Sequence, residues 1–455
     1  MTRRTTLKLD QAATAARIEK DIKAFARFGG EKVPGRAPGE TLTAVTRPAL
    51  SEADLAARAH LTALMEDLDL AVRADPVGNI IGTWVAGGAP SPDAPPAPAT
   101  GLAPVAVGSH LDSVPMGGRF DGVAGIVVGL EAIRRLRVSG FEPARPIELI
   151  DFTNEEGARF SPGLFGSQAM LGKFSPGALW EMRDAGGRSM YDALVAAGHE
   201  PDRLESGRAC RAWKPRRRGD LAAYFEVHIE QAGVLESRGL PLGVVTGIAG
   251  PAYLEVTVEG RAAHAGATPM GLRHDAMAAA AEVILEVEKV ARADANRVVA
   301  TVGRLSVEPG AGNVIPGRVR FTVDVRSIDE KARVDAAFAV KAAAMKVAQA
   351  RQVSIDVEQT SEFAPVLLPE KMIGLLERAA TEAGESVRRA EATFCRLPSG
   401  AAHDAMMIAQ IAPVGMLFVR SLGGVSHSPE ELTSYEDLAL AAMVLERALR
   451  ETAGH

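Results

Sequence analysis

The sequence predicts an α/β protein: a catalytic domain on a parallel or mixed sheet, interrupted by an inserted βαββαβ domain. Three observations predict it. In the first half, apolar strand-like runs alternate with helical stretches, which implies parallel strands with helices packed on them. After about residue 245 the order becomes βαββαβ, that of a ferredoxin-like domain. Metal-capable side chains lie both before and after that stretch, so it is read as an insertion. The catalytic domain then covers 1–245 and 362–455, and the inserted lid covers 246–361.

In chain order, VAVGSH (105–110) and PIELIDFTNEE (146–156) read as strands, and VAGIVVGLEAIRRL (123–136) between them has the 3.6-residue period of a helix. FEVHIEQ places His228 at or near a further strand end. In such sheets chemistry gathers at the carboxyl ends of strands, so motifs far apart in sequence are brought to one rim. GGAPSPDAPPAPATG (87–101) is too rich in Pro, Ala and Gly to fold by itself and reads as a surface loop. In the insertion, AYLEVTVEG (252–260) alternates as a strand and DAMAAAAEVILEVEKVA (275–291) is helical. VVATVGRLSVE (298–308) and RVRFTVDVRS (318–327) are strands, 331–350 is helical, and VSIDVEQT (353–360) closes as a strand.

Composition narrows the function. The 455 residues are 47% hydrophobic and 24% charged, enough for at least one large core. A net charge of −6 gives no basic footprint for nucleic acid or an anionic membrane, which leaves a small substrate. Two cysteines, Cys210 and Cys395, without metal spacing, argue against a disulfide framework and suit a reducing compartment. MTRRTTLKLD has no apolar core and no run approaches 18 apolar residues, so a cytoplasmic location is expected.

The chemistry lies in separated motifs: His110 and Asp121 in GSHLDSVPMGGRFDG, Glu155 and Glu156 in TNEEG, His228 in HIEQ and His427 in SHSPEE. With Asp121 bridging, Glu156 and the three imidazoles suffice for two Zn²⁺-like ions at open sites, and Glu155 is left as a base. Asp112 either fixes the tautomer of His110 through its second nitrogen or caps a turn. Asp121, directly ahead of a helix, is either a ligand or an N-cap. In the Glu155–Glu156 pair successive side chains diverge, so one can face the metals while the other addresses water. His403 in SGAAHDAM reads as a supporting or structural histidine.

These motifs, with GRAAHAGATPM, GAGNVIP, DVRS and PSGAAHD in the same order, resemble the dinuclear-zinc amidohydrolases. That family includes N-carbamoyl-L-amino acid hydrolases, beta-ureidopropionases and allantoate amidohydrolases, and the likeness runs from about residue 20 to the C-terminus. The resemblance implies a zinc-aminopeptidase-like catalytic domain and a homodimer formed through the lid. It assigns His110 and His228 to one metal, Glu156 and His427 to the other, Asp121 as bridge and Glu155 as general base. His228, where related dinuclear peptidases tend to have a carboxylate, favours a carbamoyl or ureido amide over a peptide bond. The metals would be Zn²⁺, with Mn²⁺, Co²⁺ or Ni²⁺ as alternatives.

On the substrate side, the resemblance makes Arg326 and Asn313 of the lid substrate-binding, and a bidentate Arg suits the substrate's carboxylate. It gives His264 the stabilisation of a developing oxyanion and Gln231 a contact with the ureido head. Arg273 and His274 are read equally well as caps or exposed residues. The sequence alone leaves open which ureido compound is turned over, and an N-acyl amino acid hydrolase or dinuclear peptidase remains the alternative.

Overall fold

The computed structural model describes residues 9–35, 37, 40–85, 101–204, 213–389 and 391–454. Most of the 87–101 segment and Cys210 lie outside the described residues. The chain forms two compact units: Met1–Thr246, Leu368–Leu397 and His403–His455 make the first, Gly247–Leu367 and Pro398–Ala402 the second. The sequence placed Pro398–Ala402 in the catalytic domain, whereas the structure clusters it with the inserted residues.

The centre of the first unit is a parallel set of strands in the spatial order Val414–Val419, Ala223–Ile229, Val105–His110, Ile147–Phe152. All residues of these strands are buried. That is why they read as near-continuous apolar runs, since a strand covered on both faces has no solvent side to alternate with. The flanks are antiparallel: Leu242–Ile248 pairs with Val414–Val419, and Ile80–Trp84 then Ala71–Ala74 extend the other side. The sheet is therefore mixed. Because the central strands run the same way, His110, Phe152, Ile229 and Val419 end at one rim, and the motif loops leave from there.

The Val123–Val138 helix packs on the Val105–His110 and Ala223–Ile229 strands and against helices Gln11–Phe25 and Tyr435–Ala453. It starts at Gly122, whose φ of 65° lies in the left-handed region. A Cβ there would sit 2.4 Å from the His110 ring, so glycine is required on steric grounds as well. Asp121 is therefore not the N-cap; no side chain caps this helix, and the Asp121 carboxylate is free for other work.

In the second unit, strands Val299–Glu308, Arg318–Ser327, Gly250–Glu259 and Ser354–Glu362 lie side by side in that order, all antiparallel. Helices Ala276–Ala293 and Glu330–Arg351 begin at the N-caps Asp275 and Asp329, each accepting backbone N–H groups of the first turn. Leu254, Val256, Phe321 and Val323 alternate inward against Ala279, Val283 and Val340 of the helices. This one-faced burial produces the period-2 and period-3.6 patterns read from the sequence, and the elements fall within a few residues of those readings.

Candidate metal centre

His110 closes its strand, and its Nδ1 lies 2.9 Å from the Asp112 carbonyl. A carbonyl only accepts, so the ring proton sits on Nδ1 and Nε2 turns to the cluster. His228, one residue before the end of its strand, repeats the arrangement, with Nδ1 2.9 Å from the Ile229 carbonyl. The two Nε2 atoms lie 3.6 and 3.2 Å from Oδ1 of Asp121. On the other side, His427 Nε2 lies 3.5 Å from Asp121 Oδ2 and 3.4 Å from Glu156 Oε2. His427 sits in the left-handed region, at φ 55°.

Two ligand groups result: His110, Asp121 and His228; and Asp121, Glu156 and His427, each with ligand atoms within 4.8 Å of one another. Ligands about 2.0–2.1 Å from a tetrahedral ion stand roughly 3.3 Å apart, close to the distances observed. Each group takes a different Asp121 oxygen, so the residues fit a pair of ions sharing one carboxylate. Glu156 Oε1, buried without a hydrogen-bond partner, fits an ion as well. Glu155 stands beside them, its Oε2 3.5 Å from His110 Nε2.

The supporting contacts differ in detail from the sequence reading. The Asp112 carboxylate was expected to receive the His110 ring proton; the carbonyl of the same residue does so. The carboxylate instead accepts the backbone N–H groups of Glu155 and Glu156, at 3.0 and 3.3 Å. Gln231, expected to meet a ureido group, donates from Nε2 to Asp121 Oδ2 at 2.7 Å. Sequence reasoning missed Glu431. Its Oε1 accepts the N–H groups of Phe120 and Asp121 at 2.7 and 3.0 Å, and the one proton of the Ser426 hydroxyl is shared between Asp121 Oδ2 at 2.7 Å and Glu431 Oε2 at 3.1 Å. Gly118 permits the close approach, because a Cβ there would sit 2.2 Å from the Glu431 carboxylate.

Electrostatically the cluster is an excess of buried acid. Burial pushes the Glu155 and Glu156 carboxyls well above the usual range, followed by the charge of Asp404 for Glu155 and of Asp121 for Glu156. Burial would also raise Asp121, but the His228 and His110 rings hold it below the usual range. His110 is pushed down to about 4 by burial, whereas His228, equally buried, is lifted to about 9 by Asp121. His403 is buried with its ring centroid 4.5 Å from that of His228.

Three of the expected residues belong to the second unit. His264 Nδ1 accepts the N–H groups of Gly266 and Ala267 at 3.1 and 3.2 Å, so a neutral ring carries its proton on Nε2. Asn313 adjoins it, its carbonyl accepting the Ala265 N–H at 3.0 Å. Arg326 was expected to await a carboxylate, but Asp324 engages its Nε and Nη2, at 3.1 and 2.8 Å, and Nη1 donates to the Gly400 carbonyl. The spacing held that signal, since residues two apart on a strand share a face. Arg273 donates to the Thr268 and Ala265 carbonyls, holding its own loop, and His274 Nδ1 lies 2.7 Å from the Gln352 carbonyl.

A sheet of this kind, with a shared-carboxylate ligand cluster and a buried glutamate at its strand ends, defines a metal-dependent hydrolase. The chain belongs to peptidase family M20/M25/M40, whose model matches residues 106–451. It is 44% identical over 401 residues to an N-carbamoyl-L-amino acid amidohydrolase of Geobacillus stearothermophilus, covering 88% of this chain and 91% of the relative. A ureidoglycolate hydrolase of Oryza sativa subsp. japonica is 37% identical, with 95% and 83% covered. Among solved structures, a hydantoinase/carbamoylase family amidase from Burkholderia multivorans superposes with a TM-score of 0.82 at 32% identity over 99% of each chain.

Proposed function

We propose that this enzyme hydrolyses the carbamoyl amide of an N-carbamoyl amino acid, giving the amino acid, CO₂ and ammonia. The observation that carries the proposal is the pair of ligand groups sharing Asp121, with Glu155 beside them; the Geobacillus relative supports the substrate class. His110 and His228 would hold one divalent ion and Glu156 and His427 the other, Zn²⁺ first among the candidates and Mn²⁺, Co²⁺ or Ni²⁺ as alternatives. When bound, two such ions polarise a carbonyl and acidify water.

Glu155 takes the proton of the attacking water and returns it to the departing nitrogen. Asp112 orients Glu155 by holding its backbone N–H. His264, with its proton on Nε2, is the donor for the developing oxyanion. Asn313, Gln231 and Arg326 contribute substrate contacts, Arg326 through the N–H groups that Asp324 and Gly400 leave free. The second unit's strand order and two helices support its reading as a ferredoxin-like domain; a lid role and a homodimer surface are what the family resemblance implies for it. Among the described residues no helix is long and apolar enough to cross a membrane.

The ureidoglycolate relative makes a second ureido substrate the competing reading. Ammonia release from metal-reconstituted enzyme, measured on N-carbamoyl-L-methionine, N-carbamoyl-β-alanine, allantoate, ureidoglycolate and an N-acetyl amino acid, decides between them. Chelator-sensitive turnover of a carbamoyl amino acid is expected, and Glu155→Gln should keep its metal while losing about 10²–10⁴ in kcat. Turnover of the N-acetyl compound alone would overturn the proposal.

A further inference from the structure

We propose that Arg47 is a positioning residue for the metal centre, its buried guanidinium fixing the backbone between His110 and Asp112 and thereby the placement of both ligand-bearing loops. The inference rests on the metal-centre reading above. Arg47 is 1% exposed, and among the described residues it makes no ion pair. Burying an unpaired cation is costly unless its donors are satisfied. Here three of the five N–H groups are satisfied by main-chain carbonyls, while Nη2 has no hydrogen-bond partner among the described residues: Nε donates to Leu111 at 2.6 Å, and Nη1 donates to Phe25 and Phe28 at 2.9 and 3.0 Å.

The rest of the strip reinforces that hold. Arg47 N–H donates to the Ser113 hydroxyl at 3.0 Å, and Ser113 N–H donates to the Arg47 carbonyl at 2.9 Å. Val45 and Gly117 exchange two backbone bonds of 2.9 Å, and Met116 N–H donates to the Thr46 hydroxyl at 2.9 Å. Residues 45–47 thus clasp 111–117, the chain between His110 and Asp121. From the clasped segment the Asp112 carbonyl holds the His110 ring, and its carboxylate holds the Glu155 and Glu156 amides. Arg58, the other buried arginine nearby, differs in pairing with Asp54 at 3.1 Å and Asp151 at 3.3 Å. A planar fork bridging carbonyls from separate segments is beyond a lysine, whose ammonium is a point donor on a flexible stem.

The test compares Arg47→Lys with Arg333→Lys, the latter replacing an equally buried arginine of the second unit. Full-length proteins are measured as purified and after chelation, by thermal midpoint, by amide exchange of peptides spanning 111–117 and 153–157, and by kcat and KM. Arg47→Lys should exchange at least tenfold faster in both peptides and lose at least tenfold in kcat with KM within threefold. Arg333→Lys should lower the midpoint without either change. Wild-type exchange in both peptides of Arg47→Lys, or equal effects of the two variants, would overturn the assignment. If Arg47→Lys does not fold, Ser113→Ala, which removes the hydroxyl that accepts the Arg47 N–H and leaves the backbone bonds of the clasp in place, is read by the same exchange criterion. Because exchange is measured without substrate, a failure of the ureido reaction is distinguishable from a failure of this role.

Discussion

The Asp112 carboxylate accepts the backbone N–H of Glu155 at 3.0 Å, so the segment carrying the proposed base is held by an acid two residues beyond a proposed ligand. In Asp112→Asn the carbonyl contact with His110 survives, but an amide has one acceptor oxygen where the carboxylate had two, and its NH₂ would face a backbone donor. Activity or metal affinity should fall about 10–100-fold, as for other outer partners of ligands. Steady-state kinetics and a chelator competition measure this, and normal values for both would contradict the role.

Glu431 makes the corresponding hold on Asp121, through the N–H groups of Phe120 and Asp121 and the Ser426 hydroxyl. Glu431→Gln, which leaves one acceptor oxygen, should weaken metal binding about tenfold or more. Gly118→Ala should act in the same direction by displacing that carboxylate. Equilibrium dialysis against a competing chelator gives the affinities; two wild-type values would show that Asp121 needs no such support.

His110, Asp121, Glu156 and His228 were legible because each lies at the end of an apolar strand, or precedes a helix, that the sequence marks clearly, whereas His427 was read from its SHSPEE motif alone. Their supports were not, because they depend on which atom of a residue arrives first. Two residues after His110, the backbone oxygen of Asp112 reaches the ring before its carboxylate does, and the HxD spacing does not distinguish the two. Glu431 works on main-chain N–H groups 310 and 311 positions away, which no local pattern encodes. Arg47 satisfies carbonyls, and carbonyls have no sequence signature. A mixed sheet was within the expectation, but which strands form its antiparallel flanks was not read, since short strands look alike whichever way they run.

Exposure separates the two proposed metal positions. The side chain of His427 is 49% exposed, whereas those of His110 and His228 are 1% exposed. The Asp121, Glu156 and His427 position should therefore empty first, and chelation should proceed in two phases. His427→Ala should abolish the fast phase and keep one tightly held ion. Stopped-flow chelation with a chromogenic chelator reads both phases, and a single phase releasing two ions together would refute the ordering.

Asp151 gives the pH prediction. Burial pushes its carboxyl up to about 7 against the pull of Arg58, from an ordinary value of 3.8. Between those values the folded protein keeps a proton that the unfolded chain has released, so raising pH through the window costs stability, and the cost is constant above it. Asp151→Asn lacks this dependence; the Arg58 contact at 3.3 Å is an ion pair only once Asp151 has ionised, so its loss is already contained in that titration, and the substitution otherwise adds an offset that does not vary with pH. The thermal midpoint of the variant minus that of the wild type should therefore rise from pH 4 to pH 7 and level off by pH 8. Linkage of only about 1 kcal/mol would move that difference by roughly 2 °C in a unit of this size. Paired melts in chelator at each pH measure it; a difference that stays flat or falls across the window would mean that Asp151 is ionised throughout.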